Sequence, residues 1–301
     1  MFKITVPAST ANLGAGFDCL ALALQCYLSV TGELIDTNSP WQLTLEGEGA
    51  ASLPANEQNF IIQVAQQVAQ ALSVHLPSLH LTINNQIPLS RGLGSSAAAI
   101  TAGIAIVEAV MAQELRATKF YQLATRFEPH ADNLAAARSG GFTLACQAEN
   151  GNFITLKQPW PPEIQALVAI PEFELATTQA RAVLPTSYSR EAAIFNIQHA
   201  LLLQGALAQG HYHLLTEALK DRIHQPFRAP LVPGLVEALQ LSMPGLLGVV
   251  LSGAGPTLLA LATDNFSAIA QELIAIFATY QLGAQTTCLE IDQQGRKINF
   301  L

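Results

Sequence analysis

An α+β chain of two closely packed domains is what this sequence predicts, on three observations. Half of the 301 residues are apolar and only 12% are charged, enough for a large core and against disorder. Strand-like alternation and helix-like periodicity follow one another without regular βαβ repetition, which argues for α+β rather than a doubly wound sheet. A proline-rich passage, Gln158-Pro159-Trp160-Pro161-Pro162, punctuates the middle of the chain and is the best candidate boundary, dividing it into residues 1–157 and 158–301.

The elements follow in order. Phe2–Val6 is a short β-rich run. Trp41–Leu45 and Leu79–Ile83 alternate strictly, as half-buried strands do. Between them Ile61, Ala65, Val68 and Leu72 recur at helical spacing. Ser95–Met111 is almost wholly apolar and predicts a helix buried on most sides. Residues 117–137 read as further helices interrupted by Pro129, and Gly140-Gly141 turns the chain into the strand-like Phe142–Ala145. Past the boundary, Gln165–Ile170 predicts a strand, and Arg190–Gln209 and Tyr212–Asp221 predict helices. Leu246–Leu251 and Thr257–Leu261 are apolar strands joined by Ser252-Gly253-Ala254-Gly255-Pro256; a helix over 266–279 and a last strand near Thr286–Ile291 close the chain.

Bulk chemistry excludes several function classes. The formal net charge is −8 and no Lys/Arg run occurs, which argues against a nucleic-acid or anionic-membrane surface. An anionic ligand must therefore be met by a few placed cations. The opening residues lack the pattern of a signal peptide, and the longest apolar stretch, Ala97–Val110, contains Thr101 and Glu108 and is too short to span a bilayer. Cys19, Cys26, Cys146 and Cys288 are scattered without metal-like spacing and read as reduced thiols. The expectation is a cytoplasmic protein.

Chemistry concentrates in Pro88-Leu89-Ser90-Arg91-Gly92-Leu93-Gly94-Ser95-Ser96-Ala97-Ala98, a glycine-rich passage from a strand into the long apolar helix. Glycines there let several N–H groups converge on one concavity behind which the helix N-terminus lies, a cradle for a polyphosphate. Ser95 and Ser96 can cap the helix, and either hydroxyl could reach a phosphate-bound Mg²⁺. A plain turn with a serine cap is the competing reading. It is neither a P-loop, for want of Gly-Lys-Ser/Thr, nor a dinucleotide fingerprint.

Four further segments carry polar residues in apolar surroundings: Pro7–Asp18, Glu128-Pro129-His130-Ala131-Asp132-Asn133, Thr177–Pro185 with Arg181, and Asp221–Arg228 with His224. Taken alone, each fits a polar turn, a helix cap or a surface arginine as well as a site.

Together these blocks resemble the galactokinase, homoserine kinase, mevalonate kinase and phosphomevalonate kinase (GHMP) superfamily, and within it the homoserine kinase family. P-x-x-x-G-L-G-S-S-A-A is the superfamily's ATP-binding signature, and P-A-S-x-A-N-L-G-x-G-F-D is similar to the family's N-terminal block. Glu128–Asn133 resembles the family's E-G-H-P-D-N with Pro129 and Ala131 substituted, and Thr177–Pro185 its S-T-x-x-A-R-x-x-L-P with Ala176 in place of the serine. Asp221–Arg228 resembles D-x-x-H-x-P-x-R, and Leu251–Thr257 the superfamily's third motif.

The resemblance implies ATP-dependent phosphorylation of L-homoserine to O-phospho-L-homoserine in threonine biosynthesis. It implies a two-domain α+β architecture, like ribosomal protein S5 domain 2 in its N-terminal part and ferredoxin-like in its C-terminal part. Pro88–Ala98 would hold ATP, and Ser96 and Glu128 would hold Mg²⁺. Asn12, Asp18, His130, Asn133, Thr177, Arg181, Arg228 and Gly253 would border the acceptor, with Asp18 on its ammonium and Arg181 or Arg228 on its carboxylate. Glu128, Asn133 and Arg181 would act at the phosphoryl group. Asp132 is the one candidate base, and the family implies direct proton passage to phosphate instead. Asn59 is a candidate nucleobase contact, and a homodimer is the family-level expectation. Two other readings stay open: a kinase of the superfamily acting on a mevalonate-type or sugar alcohol, and a ligand sensor that binds ATP without transfer.

Overall fold

The computed structural model of the chain describes residues 1–36 and 39–301. Its strands are β1 (Phe2–Ala11), β2 (Leu20–Leu34), β3 (Gln42–Gly47), β4 (Leu79–Asn85), β5 (Phe142–Gln147), β6 (Phe153–Gln158), β7 (Gln165–Pro171), β8 (Leu246–Leu251), β9 (Leu258–Ala262), β10 (Ala284–Leu289) and β11 (Lys297–Phe300). Its α-helices are α1 (Phe60–Leu72), α2 (Ser95–Met111), α3 (Ala117–Ala124), α4 (Asp132–Ser139), α5 (Thr177–Ala182), α6 (Arg190–Gln209), α7 (Leu215–Ala218), α8 (Gln225–Arg228), α9 (Leu235–Leu239) and α10 (Phe266–Thr279). Among the described residues no helix is long and apolar enough to cross a membrane.

Two sheets carry these elements. The first runs β11-β1-β2-β4-β3, with β5 pairing the start of β2 and β6 pairing β5. All its pairs are antiparallel except β3 with β4. The second sheet, β10-β7-β9-β8, is antiparallel throughout, and with helices after β7 and β9 it has the βαββαβ order of a ferredoxin-like unit. Both faces of β7 are buried. Ala166 and Val168 join the large core under the first sheet, while Leu167 and Ala169 join a second core with Leu235, Leu273 and Phe277 of α9 and α10.

Helix limits follow local chemistry. Ser189 caps α6 by accepting from the Ala192 N–H at 3.1 Å, and Gly210 ends it in the left-handed conformation. Asn59 caps α1 in the same way through Ile61. Its side chain is thus engaged at the helix start, although it also lines the cleft described below.

The structure corrects several sequence expectations. The first strand does not stop at Val6 but continues to Ala11, with the register shifting between Pro7 and Ala8, where proline supplies no N–H. Residues 8–11, expected in a loop, are therefore strand. The fifteen-residue β2 and the short β6 and β11 were not foreseen. Tyr212–Asp221 forms only a 3₁₀ turn and the single turn α7. β11, near the end of the chain, pairs with β1 in the first sheet, and Trp160 of the proline-rich passage is buried in the first core.

Candidate active site

One cleft, with a cavity volume of about 390 Å³, gathers the glycine-rich loop and most of the polar residues singled out in the sequence. The loop is held from outside by its carbonyls. Ser90 O accepts from Leu175 N–H (3.2 Å), Arg91 O from Thr257 N–H (3.3 Å), Gly92 O from the Ser252 hydroxyl (2.6 Å) and Leu93 O from Ser9 N–H (3.1 Å). With four successive carbonyls bound to the scaffold, and φ positive at Ser90, Gly92 and Gly94, the backbone curls into the expected concavity.

Neither serine caps α2, which corrects the expectation. The N-cap is Gly94, in the left-handed conformation with no side-chain cap, so the first-turn N–H groups of α2 have no protein capping group. Glycine is required there: a Cβ would lie 2.0 Å from the Ser9 hydroxyl. An uncapped helix start behind a curled loop fits a polyphosphate, and Ser95 and Ser96 remain available to face it.

Opposite the loop, Glu128 and His130 are joined by a 3.0 Å contact between Glu128 Oε1 and His130 Nδ1. His130 Nε2 lies 3.9 Å from Asp18 Oδ2. Asp18 in turn accepts two hydrogen bonds from the Arg181 guanidinium, at 2.6 and 3.1 Å. Burial works against the Arg181 charge, but the Asp18 carboxylate outweighs it and leaves the pKa raised. The sequence had assigned Asp18 to the ammonium of an amino acid and Arg181 or Arg228 to its carboxylate; the structure pairs Asp18 with Arg181.

Asn12 is buried, lines the cleft and fixes the loop: its amide donates to Gly253 O (2.8 Å) and its carbonyl accepts from the Asp18 N–H (3.1 Å). Asn133 lies at the start of α4, with its Oδ1 accepting from the Ser9 hydroxyl at 2.9 Å. Its N–H donates to Asp132 Oδ1 (2.7 Å). Burial pushes the Asp132 carboxyl up to about 6, a pull that the Asn133 N–H partly offsets.

Thr177, at the exposed start of α5, lines the cleft; so do Arg228 and Gly253. Arg228 is less available than the sequence implied. It is 2% exposed, donates from Nε to Ala180 O (3.1 Å) and from Nη1 to Gly253 O (2.9 Å), and contacts His224 Nδ1 at 3.3 Å. Burial and then the neighbouring Arg181 bring its pKa down to about 10, so it remains a cation at neutral pH. His224 Nε2 donates to Gly14 O (2.9 Å), and burial holds its pKa at about 4. Asp221 accepts from the N–H groups of Ile223, His224 and Gln225, a structural role.

Sequence reasoning missed three groups of residues. Ser9 and Ser252 clamp the loop and had been read only as parts of polar segments. Phe17 lies between the Arg181 and Arg228 guanidiniums (5.5 and 5.4 Å) and stacks on His224 at 5.3 Å. An apolar part of the cleft is lined by Leu45, Leu53, Phe60 and Ile83, which come from separate elements and share no sequence signal, beside Leu89 of the expected loop.

Among the described residues no group of three or more His, Cys, Asp or Glu could hold a metal ion. Ser96 and Glu128 both line the cleft and carry oxygen donors, the atom type Mg²⁺ takes from a protein beside phosphate and water.

Comparison with known proteins agrees with this geometry. The family model for the GHMP kinases N terminal domain matches residues 59–141, and that for the GHMP kinases C terminal matches 203–278. A homoserine kinase of Solibacter usitatus is 40% identical over 294 residues, covering 98% of this chain and 96% of that protein. One of Desulfitobacterium hafniense is 38% identical over 300 residues, covering 99% and 100%. The crystal structure of homoserine kinase from Cytophaga hutchinsonii, 26% identical, covers 99% of this chain and 96% of its own with a TM-score of 0.86. With its loop, helix start and acidic-basic wall in one cleft, and with likeness running along its whole length, the chain belongs to the homoserine kinase family of GHMP kinases.

Proposed function

We propose that the cleft carries out homoserine phosphorylation with the nucleotide phosphates on Ser90–Ala97 and the amino-acid acceptor between Asp18, Arg181 and Thr177. The family's activity, ATP-dependent phosphorylation of homoserine for threonine biosynthesis, is that of this chain. The observation supporting the site assignment is the uncapped start of α2 facing the Asp18–Arg181 pair across one cavity. Phosphoryl transfer asks a protein chiefly for in-line positioning and neutralisation of phosphate charge. The α2 N–H groups and the loop backbone meet the β- and γ-phosphate oxygens. Asp18 takes the ammonium of homoserine and Arg181 its carboxylate, so the pair opens as the acceptor enters. Asn133, fixed by Ser9, orients the hydroxyl toward the phosphate.

Glu128 and the Ser96 hydroxyl would hold Mg²⁺, which when bound neutralises charge between the phosphates. His130, in contact with Glu128 at 3.0 Å and 3.9 Å from Asp18, would orient the Glu128 carboxylate beside that metal. Asp132 is enclosed and bonded to Asn133 N–H, which favours a role in fixing α4 over that of a base.

The test is ADP release by the purified protein with MgATP and L-homoserine, against mevalonate, galactose and L-serine. Turnover confined to homoserine is expected. Turnover with mevalonate or galactose instead would discard the Asp18–Arg181 assignment.

A further inference from the structure

A cluster of four charged side chains, none of which lines the cleft, joins the rear ends of α2 and α4. Arg296 Nη2 donates to Glu108 Oε1 (2.8 Å) and to Glu114 Oε1 (3.2 Å), and Arg138 Nη2 donates to Glu114 Oε1 (3.2 Å) and Leu115 O (3.0 Å). The Glu108 side chain is fully buried and that of Arg296 is 5% exposed. Both guanidiniums lie over the Phe120 ring, at 5.1 Å for Arg138 and 6.0 Å for Arg296. Glu114 is exposed, but the Glu108–Arg296 pair is buried, a costly way to fill a core that apolar side chains would serve as well.

What the cluster joins gives it a use. Glu108 sits near the rear of α2, about 18 Å along the helix from Ser96. Arg138 sits at the rear of α4, whose front carries Asp132 and Asn133. The two helices pack against each other, and the front ends of both line the cleft. Arg296 belongs to neither. Its backbone N–H donates to Ala137 O (3.0 Å) and Arg138 O (3.3 Å), tying off the end of α4. The approach is so close that a Cβ on Gly295 would lie 2.4 Å from Arg138 O. One residue further on, β11 begins and pairs with β1, the strand whose Ser9 binds Asn133.

We propose that Arg296 is a positioning residue for phosphoryl transfer, locking the rear of α4 to the rear of α2 so that Asn133 and Ser96 face each other at the front. The proposal rests on the site assignment above. A displacement of about an ångström at such a site costs up to a hundredfold in rate while binding contacts persist.

The experiment compares the full-length protein with Arg296→Met, Arg296→Lys and the double variant Glu108→Gln/Arg296→Met, measuring kcat, both KM values and the thermal midpoint. Arg296→Met is expected to lose kcat roughly tenfold, with both KM values within about twofold, and Arg296→Lys to fall between it and wild type. The double variant removes the unpaired buried acid, so its midpoint should recover while kcat stays low. Unchanged kcat in Arg296→Met, or kcat recovering together with the midpoint in the double variant, would overturn the proposal. Wild-type protein without homoserine turnover would overturn the site assignment itself, a result the same assay separates from one confined to the variants.

Discussion

Asp18 and Arg181 meet through both terminal guanidinium nitrogens, Nη1 and Nη2, so an arriving amino acid must compete with a partner already in place. That competition is symmetrical for a zwitterion: its ammonium replaces Arg181 at Asp18 while its carboxylate replaces Asp18 at Arg181. A neutral alcohol offers neither exchange and leaves the pair closed. Asp18→Asn should therefore raise the KM for homoserine at least about tenfold while leaving the KM for ATP within about twofold, as steady-state kinetics would show. Glu128 faces the other substrate. Glu128→Ala should lower kcat about tenfold or more at saturating Mg²⁺, and normal turnover in that variant would end its assignment as a metal ligand. Both residue types could be picked from the sequence by their motifs. Their pairing could not, because it depends on how the turn after β1 meets α5 across the domain boundary.

At the scale of elements, the front of α2 shows why a helix end can be legible and its chemistry still misread. The limits Ser95–Met111 were plain from the apolar run, and Arg190–Gln209 was also placed to the residue, with Ser189 and Gly210 now seen to cap it. The capping role given to Ser95 and Ser96 failed because Gly94 takes the cap position itself, leaving the helix start open. Gly94→Ala adds a Cβ at a φ of +71° and within 2.0 Å of Ser9 Oγ. We expect it to lower stability by about 1–3 kcal/mol and to raise the KM for ATP more than that for homoserine, measured by denaturant melts and kinetics. The strand β2 was illegible for a different reason. Its first five residues are buried on both faces, so no alternation marks them, and pairing to three other strands decides their conformation. β11 is four residues long with mostly exposed side chains, too brief to leave a pattern.

At the scale of the molecule, the two halves are bound by groups that respond to acid. His224, of the second half, is buried against Gly14 of the first, and its ring is held neutral with a pKa of about 4. The unfolded chain binds a proton at this site from about pH 6.5 downward. Folding is thus opposed between pH 6.5 and 4, and the stability His224 permits is complete only above that window. A His224→Gln variant should show a flatter loss of thermal midpoint from pH 7 to 4.5 than wild type, whatever its midpoint at pH 7. Equal slopes would mean that other groups carry the acid sensitivity. The return of β11 to the first sheet was not legible, since a strand that pairs so far back in sequence leaves no local trace.

That return brings the two ends of the polypeptide together: Phe2 pairs with Phe300, and the Leu301 N–H donates to Met1 O at 3.1 Å. A loop of a few residues would bridge them without strain. The tight turn between β5 and β6, where Gly151 has nothing within 4 Å of a Cβ placed on it, offers a place to reopen the chain on the surface. A circularly permuted enzyme, joined at the old ends and cut at 150/151, should keep both sheets and its turnover, with Arg296 moved from near the end of the sequence to its interior.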